Sequence, residues 1–205
     1  LIQLAETITD EELEKVVRTN NKDNKVHGII IQRPLPQKST ITDKTLDLIV
    51  KQKDIDGLIP GSPFDVPVAK AVITILEDMF RNANPDHKEQ FIPWLKSQGV
   101  MVIGKGKTAG WPIISAFERL GIPTTVIDRA TKDPYTLMES ANILISCVGK
   151  EGFLIPKMIK QNAYVVSVGI SRGEDGKLHG DYEEHEIDGK ALCITPTPGG
   201  VGPVN

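Results

Sequence analysis

No stretch of this chain approaches the ~20 consecutive apolar residues that cross a bilayer, so no membrane-spanning helix is expected. Basic charge is not in excess either. The 24 Lys and Arg stand against 27 Asp and Glu, a formal net charge of −3, and they are scattered along the chain with only five Phe beside them. The electrostatic footprint of a nucleic-acid binder is therefore missing. Cysteine is scarce: Cys147 and Cys193 sit inside apolar, strand-like runs, which excludes a disulfide framework and reads as buried free thiols in a reducing, cytoplasmic compartment. Histidine is equally thin. His27, His87, His179 and His185 fall in separate segments without HxxxH or CxxC spacing, so no metal site is expected. No internal repeat and no secretory leader pattern are present. The chain opens at Leu1 without an initiator Met and closes on a shaped Pro-Gly segment, and both ends are expected to be cut.

What remains is a globular composition, 40% hydrophobic and 25% charged, long enough for one large domain or two small ones. Thr9-Asp10-Glu11-Glu12 is a capping box that opens a helix through about Arg18, and polar Asn20 to Lys25 ends it. "VHGIII" (26–31) reads as a buried parallel strand halted by Pro34 and Pro36. Thr42 to Lys51 reads as helical, "KDIDGLIPGSP" as a loop, and Pro67 opens a helix with apolar side chains at helical spacing to Phe80. The polar segment from Arg81 to Gln98 reads as a domain junction. Beyond it strands at 100–104, 124–128, 142–149, 163–169 and 191–195 alternate with helical pieces at 111–120, 134–140 and 156–161. That alternation predicts an α/β fold with a parallel sheet covered by helices.

Chemistry enters at "VMVIGKGKTAGWP". Gly104, Gly106 and Ala109 hold a G-x-G-x-x-A spacing between a strand and a helix, and Gly110 follows them. The first glycine permits a tight turn, the second lets a phosphate approach the backbone, and the small third residue lets helix pack on strand. Asp128 ends the next strand, where an acid accepts hydrogen bonds from an adenosine ribose. The plainer reading is a glycine turn with no ligand. Gln32 falls at the carboxyl end of a predicted strand, where open α/β sheets place ligand groups, or it is simply a turn former. Asp54 and Asp56 lack the remaining ligands of a calcium loop, and for Asp56 alone a turn-capping role competes with a binding one.

Taken together, "VHGIIIQRPLPQ", "KDIDGLIP", "VIGKGKTAGWP", "VVSVGI", "GDYE" and "TPTPGGVGP" resemble, in order and spacing, the bifunctional methylenetetrahydrofolate dehydrogenase/methenyltetrahydrofolate cyclohydrolases over essentially the whole chain. The resemblance implies a two-lobed molecule: a partial α/β folate-binding domain at 1–82, a Rossmann-type NAD(P)-binding domain at 83–197, and a folate-site loop at 198–205. It implies that Ile31, Gln32, Arg33 and Asp56, with Pro198, Gly199, Gly200, Val201 and Gly202, border the folate. Gln32 matches the glutamine that supports a catalytic lysine, and Asp56 the aspartate that holds the pterin. The lysine itself belongs to a Tyr-x-x-x-Lys helix expected upstream of Leu1, and a closing helix is expected after the final loop. Gly104, Lys105, Gly106, Ala109, Gly110, Asp128, Arg129, Gly149, Gly169 and Ile170 fall to NADP or NAD, with Ile170 meeting the nicotinamide carboxamide through its backbone.

The implied function is oxidation of 5,10-methylenetetrahydrofolate and hydrolysis of the product to 10-formyltetrahydrofolate, a step of one-carbon metabolism that feeds purine biosynthesis, in a cytoplasmic homodimer. Two rivals stand beside it: a silent nucleotide-binding protein of the same fold, and a different Rossmann dehydrogenase of a small metabolite. This chain also departs from the family pattern. Lys105 and Gly106 replace an Arg and a Ser, Asp128 and Arg129 replace a His-Ser pair, Arg33 replaces an apolar residue, and "SPFDVPVAKAV" replaces a Pro-Cys-Thr-Pro turn. The acid at 128 favours NAD, while Lys105 with Arg129 favours a 2′-phosphate, and the sequence leaves that choice open.

Overall fold

The computed structural model describes residues 1–33, 35, 40–59, 61–85 and 90–205. Pro34 and Pro36, expected to halt a strand, and Pro60 and His87 lie outside the described residues. By compactness the chain divides into two units, Leu1–Pro67 and Val68–Asn205.

The first unit is organised around helix α1 (Asp10–Lys22). Its capping box forms: the Thr9 hydroxyl accepts the Glu12 N–H at 3.3 Å and the Glu12 carboxylate accepts the Thr9 N–H at 2.9 Å. The helix continues past Arg18 into the polar segment, as far as Lys22. It does so because Lys53 Nζ donates to the carbonyls of Asn20, Asn21 and Asp23 at 2.9, 2.8 and 2.8 Å, taking up acceptors that a helix end leaves orphaned. Leu13, Val17 and Ile49 are buried together, with Ile8, Ile29, Ile31 and Leu35 packed against them.

Two expectations fail here. The run at 26–31 contains no strand, only a parallel bridge between Ile29 and Asp54, with the Ile29 N–H on Lys53 O at 2.7 Å. A strand needs a partner along its length, and among the described residues none lies beside it. The helix expected over 42–51 is reduced to α2 (Asp43–Leu46) and a 3₁₀ turn at Lys51–Lys53. Between them the Asn21 side chain accepts from Val50 N–H at 3.1 Å and donates to Leu48 O at 2.7 Å, a side-chain partner that competes with helical bonding.

The second unit opens with α3 (Pro67–Ala83), which buries Val68, Ala69, Val72, Leu76 and Met79. The segment read as a polar junction contains α4 (Phe91–Ser97), whose Pro93 stands in the first turn, where its missing N–H leaves no helical bond unmade. Phe80 stacks on Trp94 with ring centroids 4.6 Å apart, and Trp94 meets Tyr164 edge-on at 5.3 Å.

The strands follow in order: β1 (Val100–Ile103), β2 (Thr124–Ile127), β3 (Ile143–Ser146), β4 (Ala163–Ser167), β5 (Ile170–Arg172), β6 (Leu178–Gly180) and β7 (Ala191–Ile194). Five of them form a parallel sheet in the order β2-β1-β3-β4-β7. Val102, Leu144, Val165 and Val166 are fully buried, as continuous apolar runs in a covered parallel sheet require. Helix α5 (Gly110–Leu120) packs against β1 and β2, and α6 (Pro134–Ser140) leads into β3.

The helix expected at 156–161 is only a 3₁₀ turn, Pro156–Met158. The sequence reading passed over the antiparallel hairpin β5–β6 and the short helix α7 (Glu184–Ile187). Cys147 and Cys193 are free, but half-buried rather than enclosed. Among the described residues no helix is long and apolar enough to cross a membrane.

Candidate functional site at the carboxyl edge of the parallel sheet

Strand order reverses beside β1, the point at which doubly wound sheets leave a crevice outside their carboxyl ends. The loop after β1 crosses that crest. Gly104 has φ +87°, and a Cβ there would stand 2.9 Å from Cys147 O at the end of β3. Gly106 faces open space, with nothing within 4 Å of a Cβ position. The close helix-to-turn approach falls on Gly110, whose Cβ would collide with Gly104 O. The glycine motif is thus closed by Gly110, while Ala109 is the residue before α5 and caps it with no side-chain hydrogen bond.

Asp128 follows β2, level with Gly104, whose N–H donates to Ile127 O at 2.8 Å. Its carboxylate accepts from Ala130 N–H at 2.9 Å and Thr131 Oγ1 at 3.3 Å, and Lys105 Nζ lies 2.6 Å from its other oxygen. The Lys105 hydrogen bond first, then the Ala130 N–H, hold this carboxyl below the ordinary carboxylate range. Arg129 is exposed beside it.

Gly149, Gly169 and Ile170 come together beyond β3 and β4. A Cβ on Gly169 would collide with Gly149 N and the Asp181 carboxyl, and one on Gly149 would touch Ile170 O at 3.4 Å.

Asp181 was not singled out from the sequence. It is wholly buried, and its carboxyl accepts from Ser146 Oγ at 2.6 Å, Val148 N–H at 3.0 Å and Lys150 N–H at 2.8 Å. Its own N–H donates to Ser167 Oγ at 2.9 Å, and that hydroxyl donates to Gly169 O at 3.1 Å. One residue therefore ties both exits, that of β3 through its carboxyl and that of β4 through its backbone N–H. The signal was the "GDYE" motif itself: a Cβ on Gly180 would meet Thr197 Oγ1 at 2.6 Å and Ser167 Oγ at 3.0 Å, so the glycine admits the acid to the interior. The same acid and burial push the Cys147 thiol up to about 12, burial being the larger cause.

The closing loop leaves β7 at the same edge. Tyr182 Oη donates to Thr195 O at 2.7 Å and accepts from Thr195 N–H at 2.9 Å, while Thr195 Oγ1 takes Ser167 N–H at 2.9 Å. Thr197–Pro198 is cis, Gly199 has φ +110°, Val201 is buried, and a Cβ on Gly200 would meet Thr195 Cβ at 2.9 Å. Gly202 faces open space.

Within the first unit, Ile31, Arg33, Asp54 and Asp56 line one pocket. The turn-capping role falls to Asp54, which is buried and accepts the Ile59 N–H at 2.9 Å. The Asp56 carboxyl has no hydrogen-bond partner among the described residues. Burial first and Asp54 second raise its pKa, against the pull of Arg33. Arg33 Nε is buried without a partner among the described residues. Gln32 is exposed and its amide donates to Arg33 O at 2.9 Å.

The β5–β6 hairpin carries a further cluster. Asp175 Oδ1 meets His179 Nε2 at 3.1 Å, while Glu151 Oε1 and Glu183 Oε1 lie 3.1 and 3.9 Å from Nδ1. The donor atoms of Glu151, His179 and Glu183 fall within 4.8 Å of one another, a set able to hold a metal ion that no sequence spacing announces. The Asp175 hydrogen bond, the largest cause, raises the His179 pKa; desolvation comes next and opposes it, and the charges of Glu151, Asp175 and Glu183 add to the rise.

Comparisons with known proteins bear on both units. Residues 1–56 match the family described as "Tetrahydrofolate dehydrogenase/cyclohydrolase, catalytic domain", and residues 88–205 its "NAD(P)-binding domain". The chain is 33% identical to the "Bifunctional protein FolD" of Lactococcus lactis subsp. cremoris (strain MG1363), over 100% of this chain and 70% of that protein. It is similar to the crystal structure of the bifunctional enzyme FolD, methylenetetrahydrofolate dehydrogenase/cyclohydrolase, from Campylobacter jejuni. There the TM-score is 0.85 and the identity 32%, covering 98% of this chain and 70% of that one. The Trypanosoma brucei enzyme, solved with NADP cofactor and inhibitor, gives a TM-score of 0.81 at 27% identity, with 99% and 70% covered.

Proposed function

The chain belongs to the tetrahydrofolate dehydrogenase/cyclohydrolase family, and from that premise we infer that it oxidises 5,10-methylenetetrahydrofolate with NAD(P)⁺ and hydrolyses the resulting methenyl cation to 10-formyltetrahydrofolate. The observation that carries this reading is the presence of both matches, catalytic and NAD(P)-binding, on one chain. A dehydrogenase of another metabolite does not account for both.

The residues at the sheet edge fit a dinucleotide. Gly104 and Gly110 clear the backbone for a pyrophosphate at the start of α5, where helix N–H groups and the macrodipole favour an anion. Asp128 offers acceptors to the adenosine ribose, with Lys105, Gly106, Ala109 and Arg129 around it. Gly149, Gly169 and Ile170 border the nicotinamide, and Asp181 is the positioning residue that sets their loops. The nicotinamide, when bound, supplies the hydride acceptor. The protein's part is to orient the two rings face to face.

On the folate side, Asp56 presents to the pterin a carboxyl without a hydrogen-bond partner among the described residues, beside Ile31 and Arg33 in the same pocket. The Gln32 carbonyl oxygen, which has no partner among the described residues, orients the ammonium of the acid-base lysine that the family resemblance places ahead of Leu1. Pro198 to Gly202 form the loop over the folate, where absent side chains let backbone approach a flat ligand. On function the chain thus divides into a folate-binding part at 1–82, a nucleotide-binding part at 83–197 and the folate loop at 198–205.

A cytoplasmic homodimer belongs to the same proposal, with Leu192, half exposed on the edge strand β7, as apolar surface for pairing. The test uses the full-length protein with methylenetetrahydrofolate and each cofactor in turn. Reduced nicotinamide absorbance is expected, and its absence with both cofactors refutes the dehydrogenase.

A further inference from the structure

We propose that this is an NAD-preferring site in which Asp128, held in place by Lys105, is the residue that discriminates against the 2′-phosphate of NADP. The inference rests on the dehydrogenase reading above and adds the identity of its cofactor.

Geometry carries the argument. Asp128 stands at the end of β2, level with the first glycine of the phosphate turn, where a carboxylate accepts the hydroxyls of an adenosine ribose. The side chain cannot swing away cheaply. Ala130 N–H and Thr131 Oγ1 hold one oxygen at 2.9 and 3.3 Å, and the Thr131 hydroxyl also accepts the Asp128 N–H at 2.9 Å. An ionised carboxylate has about four acceptor sites, and these two contacts with Lys105 use three. One remains for a ribose hydroxyl, and the open space beside Gly106 lets the ribose approach.

Lys105 is the cation best placed to serve a 2′-phosphate, and it is already committed. Its Nζ lies 2.6 Å from Asp128 Oδ2. A phosphate there, carrying ≈ −1.5 to −2 charges, would have to break that pair and then lie against the carboxylate it had exposed. Arg129 is exposed on the same loop, and its single charge, facing solvent, offsets only part of the repulsion between a phosphate and Asp128. A 2′-hydroxyl meets none of these costs. Lys105 thus acts as a lock that keeps Asp128 ionised and in place.

The experiment is calorimetric titration of the full-length enzyme with NAD⁺ and with NADP⁺, for the wild type, Asp128→Asn and Lys105→Gln. Asparagine keeps an oxygen for Ala130 and Thr131 while releasing Lys105, and melting curves verify that each variant folds. The wild type is expected to bind NAD⁺ at least about tenfold more tightly, the scale of one charge-assisted hydrogen bond. Asp128→Asn should weaken NAD⁺ and strengthen NADP⁺, closing or reversing that ratio, whereas Lys105→Gln should leave NAD⁺ preferred. Tighter binding of NADP⁺ by the wild type, or an unchanged ratio in a folded Asp128→Asn, overturns the inference while leaving the dehydrogenase intact. Binding of neither dinucleotide overturns the dehydrogenase reading itself.

Discussion

Asp181 and Asp56 are two buried or half-buried acids with opposite circumstances, and the difference separates positioning from binding. Asp181 has its acceptors filled by Ser146, Val148 and Lys150. In Asp181→Asn the new amide hydrogens would face donors in a wholly buried place. The expected loss is about 2–4 kcal/mol of stability, read by urea unfolding, with weaker dinucleotide binding from the loosened Val148–Lys150 loop. Unchanged stability would show that these bonds do not define the edge. The Asp56 acceptors have no hydrogen-bond donor among the described residues. Asp56→Ala is expected to weaken tetrahydrofolate binding by tenfold or more, in keeping with ~1.5–3 kcal/mol for a hydrogen bond to a charged group, while dinucleotide affinity stays. Because burial raises its folded pKa, ionising Asp56 opposes folding. That penalty is absent below the unfolded value of about 3.9 and complete above the folded one. Asp56→Asn should therefore raise the melting temperature at neutral pH and not in acid. Unaltered folate affinity in the alanine variant would remove Asp56 from the pterin site.

At the scale of elements, the hairpin β5–β6 gathers acids from three segments around His179. Its imidazole gains partners on folding, so the folded pKa is raised. The stability it contributes is whole below the unfolded value of about 6.5 and is lost as pH rises through the folded one. An NMR titration should place the His179 midpoint above that of a model imidazole, with hairpin amides exchanging faster on the alkaline side. A midpoint at or below ~6.5 would remove the clamp. This hairpin was illegible in the sequence for a physical reason: "ISR" and "LHG" are short, mixed in polarity and half solvated, so neither period stands out. The central strands β1, β3 and β4 were legible because burial on both faces demands continuous apolar runs. "VHGIII" shows the limit of that rule, since apolar content specifies burial and not the neighbour that makes a ladder. Helix α4 was hidden by Pro93, whose place in the first turn depends on where the helix starts. At the site, spacing located Gly104 and Asp128 correctly on the crest. It could not tell Ala109 from Gly110 as the close contact, nor show which of Asp54 and Asp56 caps the turn, because those are three-dimensional approaches.

At the scale of the whole molecule, one chain carries two chemistries. One unit carries a sheet edge cleared by glycines and stiffened by a buried acid, and the other a pocket lined by Asp56, whose carboxyl has no hydrogen-bond partner among the described residues. Oxidation and hydrolysis act on the same carbon: the first raises it from the formaldehyde to the formate level and the second changes only its bonding, so its chemical shift reports on both. The most direct measurement follows that carbon by ¹³C NMR in full-length protein supplied with [¹³C-methylene]tetrahydrofolate and NAD⁺ or NADP⁺. The account predicts loss of the methylene signal and growth of a 10-formyl signal, with the methenyl species between them. A carbon that stays at the methylene level with either cofactor would contradict it.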